Sequence, residues 1–134
     1  MKKIRILLFG IISLLIALPV HGETARIEGT VQGFYCVTMG KTCPADKEDP
    51  VIGAERIFVV FTDEKEHYFV PNLDRAIMAR YINDQVRVTG NLIEKYNSID
   101  ADSFAVYEDG EWRTAWTEEM ARDAIKMLRA PGGF

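Results

Sequence analysis

Apolar and polar residues alternate along much of this chain, and where the alternation stops the spacing becomes that of a helix. From Ala25 to Val37 the order ARIEGTVQGFYCV puts Ile27, Val31 and Tyr35 on one parity and mostly polar residues on the other, which predicts a half-buried strand. Gly29 and Gly33 punctuate it, as glycine does where a strand bends or bulges. RIFVVF at 56–61 is a β-branched and aromatic run that reads as a buried strand. TDEKE then makes a turn and HYFVP at 67–71 returns as the partner, so 56–70 is a predicted hairpin ended by Pro71.

Asn72 can cap a short helix in which Leu73, Ile77 and Tyr81 fall on one face, with Asn83 and Asp84 closing it. Strict alternation resumes at QVRVTGNLIEKY, where Val86, Val88, Gly90 and Leu92 point one way and Arg87, Thr89 and Asn91 the other. NSIDADSFAVYEDG supplies a fifth strand, and EDGEW a hairpin into a short terminal strand at 112–116. Thr117 then caps a C-terminal helix over about 117–130, with Glu118 and Glu119 in its first turn, Lys126 and Arg129 in its last, and Pro131-Gly132-Gly133 as the stop. Met120, Ala124, Met127 and Leu128 form a stripe expected to pack on the sheet.

The amino terminus follows a different rule. MKKIR, the apolar run ILLFGIISLLIAL and the exit PVHG are the three regions of a secretory signal, and Pro19, His21 and Gly22 cut the run short of the roughly 20 apolar residues that a membrane span needs. Cleavage after Gly22 would leave 112 of the 134 residues as one domain, 23–134, with no stable membrane span and a periplasmic or secreted location. Removing Lys2, Lys3 and Arg5 with the leader lowers the basic count from 16 to 13 against 20 acidic residues, and the net charge from −4 to −7. Phosphate binding relies on clustered Lys and Arg, so nucleic acid is not an expected partner; a protein or small ligand is.

The element order, β-β-β-α-β-β with a trailing helix, resembles the OB-fold, a mainly β, five-stranded Greek-key barrel whose helix lies between strands three and four. The resemblance is one of architecture over residues 25 to about 107, and with the secretion signal it is similar to the small periplasmic OB-fold proteins of bacteria. It implies a ligand face on the middle strands, flanked by the loops after strands one and four, here 38–55 and 93–98.

The segment that holds both cysteines, YCVTMGKTCPADKEDP, lies in the first of those loops. In an oxidising compartment Cys36 and Cys43 are expected to form a disulfide across six intervening residues, with Gly40 allowing the reversal. Two alternatives remain. Cys36, Met39 and Cys43 together offer the soft sulfur ligands that copper(I) prefers, and the two thiols could instead exchange, although the spacing is not the C-x-x-C of thiol oxidoreductases. On the first reading no cofactor is expected.

Catalysis finds little footing. His67 is the one histidine after the leader, and a strand position is its default explanation. The acidic cluster Asp46, Glu48, Asp49 and Glu55 matches no Ca²⁺-loop spacing and reads as a solvated arm, and Asp100 and Asp102 show no apolar pocket to raise either pKa. A binding, non-enzymatic role follows, with Tyr35, Met39 and Tyr68 as ligand-contact candidates.

Overall fold

The structure, a computed structural model, describes residues 24–130 and 132. The leader expected at 1–22, and Pro131 and Gly133 of the expected helix stop, lie outside the described residues.

The alternating segments pair as one mainly β sheet. Its strands are β1 (Thr24–Gly33), β2 (Phe58–Phe61), β3 (His67–Phe69), β4 (Gln85–Ile93), β5 (Ser98–Glu108) and β6 (Glu111–Thr117). The order across the sheet is β3-β2-β1-β4-β5-β6 with antiparallel neighbours, and β3 also pairs in parallel with β5 at Phe69 and Ser98. That extra pairing joins β1, β2, β3, β5 and β4 into a ring from which β6 extends. Among the described residues the sheet thus has six strands and not five, because the Asp109-Gly110 turn, at φ 52° and 87°, folds β6 back along β5 as a full member.

The parity of β4 is as the alternation predicts: Val86, Val88 and Gly90 are buried, and Gln85 and Asn91 face water. With Val31, Val60, Ile99, Phe104 and Val106 these valines fill the interior of the ring. Gly29 and Gly90 sit where neighbouring backbones press close. A Cβ on Gly29 would meet the Phe61 carbonyl oxygen, and one on Gly90 the Asp100 carbonyl oxygen. The β4–β5 register shifts beside Gly90, so there the glycine accommodates a local irregularity in the ladder.

Among the described residues four α-helices attach to the sheet: α1 (Phe34–Thr38), α2 (Pro50–Ala54), α3 (Arg75–Arg80) and α4 (Glu118–Arg129). Three expectations need correction. The first strand ends at Gly33, so Cys36 lies in a helix and not at the end of a strand. In α3 the cap is Asp74, whose Oδ1 accepts from Ala76 N at 2.7 Å, while Asn72 pairs both ways with the Ala101 backbone, at 2.8 and 2.9 Å, and pins the chain to β5. Met78 is the buried residue of this shorter helix.

The third correction concerns α4. Its cap is as expected, with Thr117 Oγ1 accepting from Met120 N at 3.1 Å, but the stripe does not pack on the sheet. Met120, Met127 and Leu128 are 50–66 % exposed, Ala124 is exposed too, and Ala121 alone of the helix packs against the core. Thr117 is both the last residue of β6 and the cap of α4, which leaves no linker to swing the helix back over the sheet. No helix among the described residues is long and apolar enough to cross a membrane.

Candidate functional site: the cysteine segment

Beyond Gly33 the chain enters α1, a single turn with Cys36 on its buried side. Gly40, at φ 67°, reverses the chain, and Lys41 N donates to Cys36 O at 2.9 Å, so the following residues return beneath the helix. That return brings Cys43 against Cys36. Both are buried free thiols, their sulfurs 2.8 Å apart, and Gly33 N donates to Cys43 Sγ at 3.1 Å.

Buried polar side chains hold this arrangement. Gln32 is only 3 % exposed, its Oε1 accepts from Cys43 N at 2.8 Å, and its Nε2 donates to Asn83 Oδ1 at 2.8 Å. Asn83 Nδ2 donates in turn to Pro44 O at 2.8 Å. Asn83 stands at φ 63°, a left-handed backbone that asparagine tolerates. The cysteine segment is therefore fastened to the end of β1 and to the turn before β4, with each amide group used on both sides.

The acidic arm is not simply solvated. Asp49 Oδ1 caps α2 through Val51 N at 2.8 Å. Glu55 Oε2 accepts from Tyr35 N at 2.9 Å, and its Oε1 accepts from Arg56 N and Ile57 N at 3.0 and 3.2 Å. Arg75 donates to the Ile52, Gly53 and Glu55 carbonyls at 2.8–3.2 Å and ties α2 to α3.

These surroundings decide the chemistry of Cys36. Burial, then the Cys43 thiol beside it, then the Glu55 carboxylate, push its pKa from 9.0 up to about 12. A thiol near the start of a helix is often acidified, but here burial and a carboxylate at that end outweigh the helix. Cys36 is a neutral thiol at neutral pH.

The outer side of the segment is apolar. Tyr35, Met39 and Val51 are 64, 55 and 47 % exposed, and with Cys36, Pro44, Thr42 and Lys41 they line a cleft of about 290 Å³. Two of the three ligand-contact candidates, Tyr35 and Met39, thus meet in one cleft with Cys36. Tyr68 does not join them; it lines another cleft with Thr62 and Glu66, and its hydroxyl donates to Glu66 Oε2 at 2.8 Å. The 93–98 loop lines a third with Thr24 and Ala25, so the two expected binding loops do not share a cleft.

His67 packs against Phe34 and Phe69, with ring centroids 5.4 and 5.5 Å away. Among the described residues no three His, Cys, Asp or Glu side chains gather as a metal site. Gln32, Asn83 and Val51 are site residues that sequence reasoning missed, and Glu55 reads there only as part of a solvated acidic arm. Only Asn83 carried a usable signal, since an asparagine after a helix favours left-handed backbone. Compared with protein-family models, curated proteins and solved structures, the chain matches none.

Proposed function

We propose that this chain is an exported, non-enzymatic binding module of the OB type, whose ligand-contacting element is the segment after β1, closed by a Cys36–Cys43 disulfide in the periplasm or outside the cell. The observation that carries the reading is the facing pair of buried thiols beneath an exposed apolar cleft. A sulfur bridge there would fix the shape of a surface made by Tyr35, Met39 and Val51 without taking part in chemistry. The ring order β1-β2-β3-β5-β4 supports the OB assignment, with β6 and α4 as additions to it. The raised pKa of Cys36 speaks against thiol exchange, which needs thiolate. The lining supplies apolar contact and one ammonium, Lys41, which suits binding a protein or small ligand.

One observation favours a second reading. Met39 lines the same cleft as Cys36, so copper(I) held by Cys36, Met39 and Cys43 is the alternative. Intact mass of the protein recovered from its exported location, with and without reductant and with metal analysis, separates the two. The proposal expects the mass of residues 23–134 less 2 Da and no metal. Reduced cysteines with one equivalent of copper would transfer the assignment to the second reading, and a retained leader would overturn export.

A further inference from the structure

The helix α4 leaves the sheet with one face unclaimed. Met120, Ala124, Met127 and Leu128 share that face at helical spacing, yet the two methionines and the leucine are 50–66 % exposed and Ala121 alone packs on the core. A helix of twelve residues is marginal in water without packing, so an apolar face on it gains from a cover.

The charges on the helix select the cover. Glu118 and Glu119 stand in its first turn, Lys126 and Arg129 in its last, and with Arg122 and Asp123 between them the acids and bases balance three against three. Such a helix lacks the basic polar face by which a surface helix holds anionic lipid. Pairs within the helix use four of the six charges, Arg122 with Glu118 at 3.0 Å and Lys126 with Asp123 at 2.9 Å. Glu119 and Arg129, at opposite ends, have no ion-pair partner among the described residues.

An acidic end and a basic end make a self-complementary pattern. A second copy laid antiparallel sets each acidic end beside the other's basic end, whereas a parallel pair sets like charges together. The apolar stripe is symmetric in the same sense. Ala124 lies at its middle, with Met120 four residues before and Leu128 four after, so a two-fold axis beside Ala124 brings Met120 of one copy to Leu128 of the other. We infer that α4 is a self-association element, through which two copies of this chain pair with their α4 helices antiparallel. Twelve residues of helix span about 18 Å, a contact at the small end of specific interfaces, so the pair is weak and dilute protein is monomeric.

The test is sedimentation equilibrium of the full mature chain from about 5 µM to about 1 mM, with reductant present so that no intermolecular disulfide contributes. The weight-average mass is expected to rise towards twice that of the monomer. Leu128→Glu, at a position too exposed to unsettle the fold, should weaken pairing at least tenfold, and Met39→Ala, in the cysteine cleft, should leave it unchanged. Two double variants, Glu118→Lys with Glu119→Lys and Lys126→Glu with Arg129→Glu, should each stay monomeric alone and pair when mixed, because the mixture restores opposite charges at both ends. A monomer at every concentration, a dimer that survives Leu128→Glu unchanged, or charge-swapped variants that pair alone as well as they do mixed would overturn the inference. Should a charge-swapped variant lose helix by circular dichroism, the Leu128→Glu comparison decides alone.

Discussion

Residues 34–57 and the helix α4 both leave the sheet, and they are held in opposite ways. The first has little regular structure, yet distant side chains fasten it: Gln32 to Cys43, Asn83 to Pro44, Lys47 to the Arg80 carbonyl and Arg75 to the Ile52 carbonyl. The second has every local mark of a helix, with a capping threonine, acids in the first turn and bases in the last, and it touches the core through Ala121 alone. Local signals make a helix but do not position it. An irregular segment is positioned by the partners that its backbone groups find elsewhere in the fold.

The sharpest break in that comparison is chemical. With its pKa near 12 against an ordinary 9.0, Cys36 in the reduced protein should be alkylated at pH 8 roughly a thousandfold more slowly than an open thiol, as read by peptide mapping. The same shift has a sign in stability. Between pH 9 and 12 the folded chain keeps a proton that the unfolded chain loses, so this contribution is full below pH 9 and falls as pH rises through that window. Urea midpoints of reduced protein should decline there, and more steeply than those of Cys36→Ala. Rapid alkylation of Cys36 in folded protein would refute this account of the site.

Gln32→Leu keeps the bulk and removes the fastening, leaving Cys43 N–H and Asn83 Oδ1 without partners. We expect a loss of about 2–3 kcal/mol in denaturant unfolding. A change under 0.5 kcal/mol would mean that the segment does not depend on that amide. Next in size is the bridge itself. Oxidising Cys36 to Cys43 should raise stability by about 2.5 kcal/mol through loop closure, measured as the difference between oxidised and reduced midpoints.

The smallest effect belongs to the helix. Replacing Thr117 by alanine removes the cap and should weaken α4 by about 1 kcal/mol, seen as faster amide exchange over 118–129. Global unfolding should move by less than about 0.5 kcal/mol, because so little of the helix is packed. A global loss matching the local one would show that α4 is part of the cooperative unit.

Reading from sequence succeeded where a period was present. The alternation in β4, the 56–70 hairpin, the EDG turn and the Thr117 cap are all local patterns, and the structure has each of them. It failed where the decision was tertiary. Gln32 has a polar side chain on the parity opposite Val31, and nothing in the sequence tells that the returning Cys43 loop covers it. Asp74 displaced Asn72 as a cap because Asn72 found the Ala101 backbone on β5, a partner 29 residues away. In the candidate site, the nearness of Cys36, Met39 and Tyr35 could be read from their spacing. The separation of Tyr68 from them could not, since it depends on which cleft each strand end faces.

The ring closes on one registered pair, Phe69 with Ser98, reinforced by the Phe69 N–H to Asn97 O bond of 2.8 Å. Viewed as a sequence of events, this makes the seam a latch. The β2–β3 hairpin and the β4–β5–β6 meander need only short turns, whereas the seam requires the chain between them to come full circle and gains a single rung for doing so. The two meanders are therefore expected to assemble first and the latch to fasten last, and the amide of Phe69 should be among the first in the sheet to open.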